Sequence, residues 1–432
     1  MPAPLRVTGK KGPPFPARFI FLFSPEMGFP AAYGNFIPAI DGVPAIPHNR
    51  SSKSQWRAFK MSASLTRIFS SHGTFPLACL IALALLAFIV LVPFSHGHIA
   101  KAEGTPMTAV YVYDRANLIL RDEDAANVDQ IFYAFALFKG KHITGAHWKG
   151  IHAFTEYMKK HPGITPILSV GGWGAEGFSK AASTQKGRDT FVKDVLKLMQ
   201  KYGFLGVDID WEYPCSSEAG IRSSADDRDN FTLLLSDMRA GLDALTAQDG
   251  VARKLCIAVS GDPVRIPCLD CPAVGALVDQ VNLMTYDMQD NAVASHHTPL
   301  YTPAGGALAA DVCVQAYAEA GIPKSKMMLG AAFYGHRWKA DGDAALQQPA
   351  AHVDTLPYTE ILPLIAQDPS AAHFDEVAQA PYWVAGSVFI SYDDERSVAQ
   401  KSKYVQANGL MGVFAWEYGA DDSGRLLAAM RR

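Results

Sequence analysis

Cysteine is scarce: six residues among 432. Cys79 lies inside an uncharged apolar run, which leaves Cys215, Cys256, Cys268, Cys271 and Cys313 for the rest of the chain. An odd number leaves at least one free thiol in a monomer, so a fully cross-linked disulfide scaffold is excluded. Cys268 and Cys271 have the CxxC spacing of metal and redox sites. No second cysteine pair or nearby histidine cluster completes a zinc ligand set, and the pair reads as a local disulfide clamping a loop. Charge of either sign is also modest, at −3 overall. With 49 % hydrophobic and 19 % charged residues, the composition excludes bulk disorder and allows one large domain or two ordinary ones.

The small net charge hides an asymmetry. Residues 1–102 carry ten Lys and Arg against only Glu26 and Asp41, a balance of +8, so the remainder carries −11. A body this acidic argues against nucleic acid and suits a neutral polymer or small substrate. The basic segment contains Phe75–Phe94, an uncharged run long enough to enter a bilayer. Arg57, Lys60 and Arg67 precede it, and Ala100-Lys101-Ala102 follows with the small-x-small form of a signal-peptidase site. Residues 61–102 therefore read as an export signal cleaved after Ala102, the alternative being an uncleaved membrane anchor with the same outward topology. The body, 103–432, is expected to be secreted or periplasmic. Residues 1–60 mix Pro, Gly and Phe without helical or strand period, so Met61 reads as the true start and 1–60 as an over-extended reading frame.

The densest chemistry lies in Gly203–Pro214, GFLGVDIDWEYP. Asp208, Asp210 and Glu212 fall two residues apart, alternating with Val207, Ile209 and Trp211. In a strand such positions share one face, roughly 7 Å apart along the chain. Three like charges on a half-buried face cannot all ionise, so at least one stays protonated near neutral pH, which is how a general acid is made.

From about Thr105, strand-like runs alternate with amphipathic helices. The strands are Met107–Tyr113, Ile131–Leu137, Ile164–Val170, Phe204–Glu212, Leu255–Ser260, Gln280–Tyr286, Met327–Tyr334 and Met411–Trp416. Helical patterns occupy Trp148–His161, Arg188–Tyr202, Asp227–Leu245, Gly306–Ala320 and Glu395–Ala407. Eight such repeats predict an α/β fold, a (β/α)8 TIM barrel. The long gap after the seventh strand, with a helical Thr359–Gln367 and a strand-like Ser387–Tyr392, predicts a small α+β insertion at about 339–390. Function in such barrels sits at the C-terminal strand ends, where Glu212, Tyr286, Asp287 and Trp416 fall.

LGVDIDWEYP resembles the DxxDxDxE signature of glycoside hydrolase family 18, the chitinases and their relatives. Four further segments resemble that family in the same order: Ser169–Trp173, VNLMTYD at Val281–Asp287, LGAAFYGHRW at Leu329–Trp338, and the pair Ser391–Lys401 with Gly409–Asp422. The likeness covers 106–432. It implies that Glu212 protonates the glycosidic oxygen and then activates water, that Asp210 orients the substrate acetamido group, and that Asp208 shares a proton with Asp210. Tyr286 would donate to the acetamido oxygen and Trp416 would floor the sugar, with Asp287 and Met284 lining the same pocket. In this family the substrate's own N-acetyl oxygen is the nucleophile, so no metal or organic cofactor is required. Trp173, Tyr213, Trp338 and Tyr382 are candidates for stacking on sugar faces, with buried aromatic packing as the competing reading.

The sequence departs from the signature at its first acid, which is Leu205 here. Three residues before Asp208, that position is out of phase with the inward row. His336 stands where many relatives carry Arg, and a structural or surface role is expected for it. The loop histidines His296 and His297 are expected to be solvated. The resemblance implies a monomeric, retaining hydrolase of β-1,4-linked N-acetylglucosamine polymers, chitin or its oligosaccharides. The alternatives are a non-catalytic lectin on the same scaffold, an endo-β-N-acetylglucosaminidase, or a peptidoglycan-acting hydrolase. Membrane contact is expected only through the N-terminal anchor. N-terminal sequencing of the processed protein should begin at Glu103, and a first residue upstream of Met61 would overturn the assignment of the start.

Overall fold

The computed structural model describes residues 106–432, apart from 305 and 307. The apolar run Phe75–Phe94, Met61 and the cleavage motif lie outside these residues. Among the described residues no helix is long and apolar enough to cross a membrane.

In chain order the strands are β1 (Met107–Tyr113), β2 (Gln130–Lys139), β3 (His142–Thr144), β4 (Thr165–Gly171), β5 (Gly206–Asp210), β6 (Lys254–Ser260), β7 (Gln280–Met284) and β8 (Met327–Ala332). There follow β9 (Tyr334–Lys339), β10 (Ala351–Pro357), β11 (Ala372–Asp375), β12 (Ala380–Ala385), β13 (Val388–Tyr392) and β14 (Gly412–Trp416). The helices are α1 (Ile151–Lys160), α2 (Phe178–Ala182), α3 (Gln185–Tyr202), α4 (Asp227–Asp249), α5 (Cys271–Leu277), α6 (Ala310–Glu319), α7 (Tyr358–Gln367), α8 (Glu395–Asn408) and α9 (Arg425–Ala429). Strands β1, β2, β4, β5, β6, β7, β8 and β14 pair in parallel, and β14 returns to β1 to close an eight-stranded (β/α)8 barrel.

Helices cover the outside and side chains fill the inside, so both faces of each strand are buried and the strands read as nearly continuous apolar runs. Tyr111, Phe132, Ile167, Met328 and Phe414 fill the interior, while Val110, Tyr133, Leu168 and Ile209 face the helices. Polar side chains that enter the interior bond to one another, as in Gln130 Nε2 to Gln280 Oε1 at 3.2 Å.

Three strands end before their sequence patterns do. The fourth barrel strand, β5, ends at Asp210; Trp211 keeps the outward phase of Val207 and Ile209 and stacks on Phe178, with centroids 5.3 Å apart, while Glu212 lies on the rim loop. The sixth, β7, ends at Met284, so Tyr286 also sits on the rim. The seventh, β8, ends at Ala332, which pairs with Trp416. One residue later β9 opens an antiparallel sheet of order β10-β9-β13-β12-β11, packed with α7, so the insertion begins nearer 334 than 339. Phe333 is the joint: its amide donates to the Trp416 carbonyl at 2.8 Å and its carbonyl accepts from the Tyr358 amide at 3.0 Å. A fully buried ion pair, Lys401 Nζ to Asp393 at 2.5 Å, lies where the chain leaves the insertion, and Asp393 also accepts from the Ala332 amide.

The expected CxxC disulfide is corrected: all five cysteines among the described residues are free. Cys271 is the buried first residue of α5, packed into the helix layer, while the Cys268 thiol neighbours Cys215 from another loop. Leu205, half-buried, precedes β5, and its amide donates to the Pro166 carbonyl at the strand entrance, away from the rim. Leu205→Asp should therefore cost about 1–3 kcal/mol in urea unfolding while leaving turnover within about twofold; a large change in turnover at unchanged stability would refute this.

Candidate active site

Asp208 is completely buried in the barrel interior. Its Oδ2 accepts from Ser169 Oγ at 2.7 Å and from the Tyr111 hydroxyl at 2.9 Å. Asn282 Nδ2 in turn donates to the Tyr111 oxygen at 2.9 Å. Burial raises the Asp208 pKa to about 6, and the two hydroxyl donors hold it below where burial alone would take it. Asp210, 4 % exposed, has no such support. Its Oδ1 lacks a hydrogen-bond partner among the described residues. Burial first, then the charges of Glu212 and Asp208, push its carboxyl well above the usual range.

The backbone beside this row demands glycine. Gly171 pairs with Asp210 across the β4–β5 ladder, and the Gly172 amide donates to the Asp210 carbonyl at 2.9 Å. A Cβ on Gly171 would lie 2.0 Å from the Asp210 carbonyl oxygen, and its φ of +125° already suits only glycine. The Ser169–Gly172 motif thus supplies one hydroxyl donor to Asp208 and a side-chain-free gap for Asp210.

Glu212 is half-buried at the mouth. Burial raises its pKa to about 7, a hydrogen bond from Tyr213 opposes the rise, and the Asp287 charge adds to it. Tyr286 feels Asp210, Asp287 and Glu212, and with burial these hold its phenol in the protonated, donating form. Its ring meets Tyr334 and Phe414 edge-on at 6.0 and 6.1 Å. Trp416, half-buried at the end of β14, stacks on Phe135 with centroids 5.6 Å apart. Met284, Tyr213, Tyr286 and Trp416 all pack on the barrel-interior cluster. Trp173 stands apart, 42 % exposed and touching Tyr213 edge-on. Among the described residues three non-proline peptide bonds are cis, Ala134–Phe135, Glu212–Tyr213 and Trp416–Glu417, and all three belong to or adjoin this rim.

The expected roles of other candidates change. Trp338 is fully buried in the insertion, its Nε1 donating to the Asp290 carbonyl, and Tyr382 is stacked between His373 and Phe389, so neither ring is free for a sugar. His296 and His297 are buried, not solvated: the insertion folds over their loop, and His296 Nε2 lies 3.2 Å from Asp375. His336 is buried as well, with Nε2 at 2.7 Å from Asp287. Arg337 points away, into an ion pair with Asp354. Sequence reasoning missed Tyr111 as a donor to Asp208. Its signal was there, since Tyr111 alternates in phase with Ala109 on the inner face of β1.

A parallel eight-stranded barrel that raises a rim carboxyl to near neutrality above two buried acids, ringed by aromatic side chains, has the composition of an acid–base site. The chain belongs to the family described as glycosyl hydrolases family 18, whose sequence profile it matches over residues 107–421. It is 32 % identical over 313 residues to Chitinase A1 of Niallia circulans, covering 65 % of this chain and 45 % of that one. It thus spans under half the length of that relative. Among solved structures it resembles a family 18 N-acetylglucosaminidase from Paenibacillus barengoltzii, with TM-score 0.71 and 39 % identity over 76 % of this chain and 99 % of the other. It also resembles a chitinase-like agglutinin from Robinia pseudoacacia, with TM-score 0.67 and 27 % identity over 75 % and 98 % of the two chains.

The contact at Gly171 gives a sharp prediction. Gly171→Ala should lower unfolding free energy by about 2–4 kcal/mol, whereas Gly203→Ala, whose added Cβ meets nothing within 4 Å, should cost only about 1 kcal/mol. Equal losses in urea melts would refute the assigned role of the Asp210 carbonyl.

Proposed function

We propose that this protein is a retaining hydrolase of β-1,4-linked N-acetylglucosamine chains, chitin or its oligosaccharides, acting by substrate assistance. The observation that carries the reading is Glu212, a rim carboxyl with its pKa raised to about 7 beside a buried acid that lacks a partner. Glu212 donates its proton to the glycosidic oxygen as the bond to the anomeric carbon breaks. The substrate's acetamido oxygen attacks that carbon from the opposite face and forms an oxazolinium ion, displacing the sugar on the leaving side. Asp210 hydrogen-bonds the acetamido N–H and passes its own proton down to Asp208, so that it carries negative charge as the ring acquires positive charge, and the Tyr286 hydroxyl holds the acetamido oxygen. Trp416 closes the apolar floor. Glu212, now a carboxylate, removes a proton from water, and water opens the oxazolinium with net retention.

Asp208 acts from beneath as a positioning residue. Its two hydroxyl donors favour its charged form, so it returns Asp210 toward the protonated state between turnovers. The intact row supports an enzyme over a lectin of the kind represented by the Robinia agglutinin. The name of the Paenibacillus relative also supports release of single N-acetylglucosamine units. Export to the secreted or periplasmic space, as the N-terminal pattern suggests, would place the enzyme with such polymers.

Glu212→Gln tests the reading. Turnover of a chitobiose or chitotriose fluorophore conjugate should fall below about 1 % of wild type, while oligosaccharide binding persists. A carboxyl whose pKa is raised is protonated below about 7, so wild-type kcat/KM should fall as pH rises through that value. By the same sign, the native state holds this proton more tightly than the unfolded chain. Glu212 therefore costs stability above its unfolded pKa, and Glu212→Gln should not melt below wild type at pH 8. Binding without wild-type turnover would establish the lectin instead, and substantial residual activity in the variant would reassign the acid.

A further inference from the structure

Three side chains from separate segments meet beside the cleft: Asp287 just past β7, His297 in the following loop, and His336 on β9. One ligand-capable atom of each lies within 4.8 Å of the others. His336 Nε2 stands 2.7 Å from Asp287 Oδ1, and His297 Nδ1 stands 3.9 Å from the same oxygen. His297 is fully buried. Neither of its ring nitrogens makes a well-formed hydrogen bond among the described residues, although the Tyr334 backbone carbonyl faces the ring. That carbonyl can hold the ring's single proton, which leaves the other nitrogen with a bare buried lone pair, a costly state without a partner. A structural Asp287–His336 hydrogen bond does not account for it.

The surroundings hold these side chains as a ligand set is held. Tyr334 donates its hydroxyl to Asp287 Oδ1 at 2.7 Å, and the far nitrogen of His336, Nδ1, lies 2.7 Å from His352 Nε2. Such outer bonds fix the orientation of metal-binding imidazoles and carboxylates. The nearby ammonium of Lys401 is neutralised by Asp393 at 2.5 Å. The Asp287 side chain is 48 % exposed, so the set is closed on the protein side and open toward solvent.

We propose that Asp287, His297 and His336 bind one divalent transition-metal ion of the zinc class at the rim of the cleft. Two imidazoles and one carboxylate with open positions suit Zn2+, Co2+ or Ni2+, whereas Mg2+ and Ca2+ require more oxygen ligands than this set offers. Loading replaces the Asp287–His336 hydrogen bond with two bonds to the ion: the single His336 proton moves from Nε2 to Nδ1, and His352 changes tautomer so that its Nε2 accepts that proton's hydrogen bond.

The test is direct binding, which is independent of whether the protein turns over sugar. Tag-free full chain, stripped with a chelator, is titrated with Co2+ and followed by visible absorption. Ligand-field bands should saturate at one ion per chain, be displaced by Zn2+, and resist excess Mg2+ or Ca2+. His297→Gln and His336→Gln should each weaken Co2+ binding by about tenfold or more. Zinc-edge absorption of the loaded wild type should show nitrogen and oxygen neighbours with imidazole scattering, and this needs no variant to fold. No cobalt bands from folded wild type at millimolar metal, unchanged affinity in a folded variant, or a sulfur shell from the cysteines would overturn the site.

Discussion

Everything at the mouth of this barrel depends on placing carboxyl groups where water cannot solvate them. Burial drives the rise in Asp208, Asp210 and Glu212 alike, and the neighbouring charges add to it in Asp210 and Glu212. The protein does not relieve this uniformly. Asp208, deepest in the row, receives two hydroxyl donors, whereas Asp210 receives none at its orphaned oxygen. Proton affinity is therefore graded along one short stretch of chain, from β5 onto the rim loop, by what lies next to each group, although all three side chains have the same chemistry.

Supplying that gradient constrains residues far apart in sequence. Tyr111 reaches Asp208 from the first strand and is itself steadied by Asn282 on the sixth, so three strands must keep register for one carboxylate. Gly171 must remain glycine for the backbone of Asp210 to pass. The aromatic wall of Phe135, Trp416, Tyr286 and Phe414 excludes water from the same volume, which strengthens each electrostatic effect inside it.

Much of this was legible in the sequence, for reasons that differ by element. The barrel strands announced themselves because burial on both faces leaves continuous apolar runs. The carboxylate row showed because strand period is two. Where the sequence misled, the tertiary structure had overridden a local pattern. The run to Glu212 alternates perfectly, and Trp211 keeps its outward phase against Phe178, yet the ladder stops at Asp210 and the last acid lies beyond it. The run to Tyr334 looks like one strand, but two sheets share it around Phe333. His297 and His336 looked like loop and surface residues because their burial is created by an insertion that no local signal assigns to them. The pairing of Asp208 with Tyr111 spans 97 residues: strand period places each on the inner face, but no local pattern says that the two meet.

Phe333 carries one further implication. Its amide and carbonyl are both spoken for, one by the end of the eighth barrel strand and one by the start of the insertion's helix. A swinging domain needs a joint whose backbone can rotate freely, and this joint has no spare hydrogen-bonding group to release. Any movement of the insertion against the barrel must therefore break both of these bonds at once.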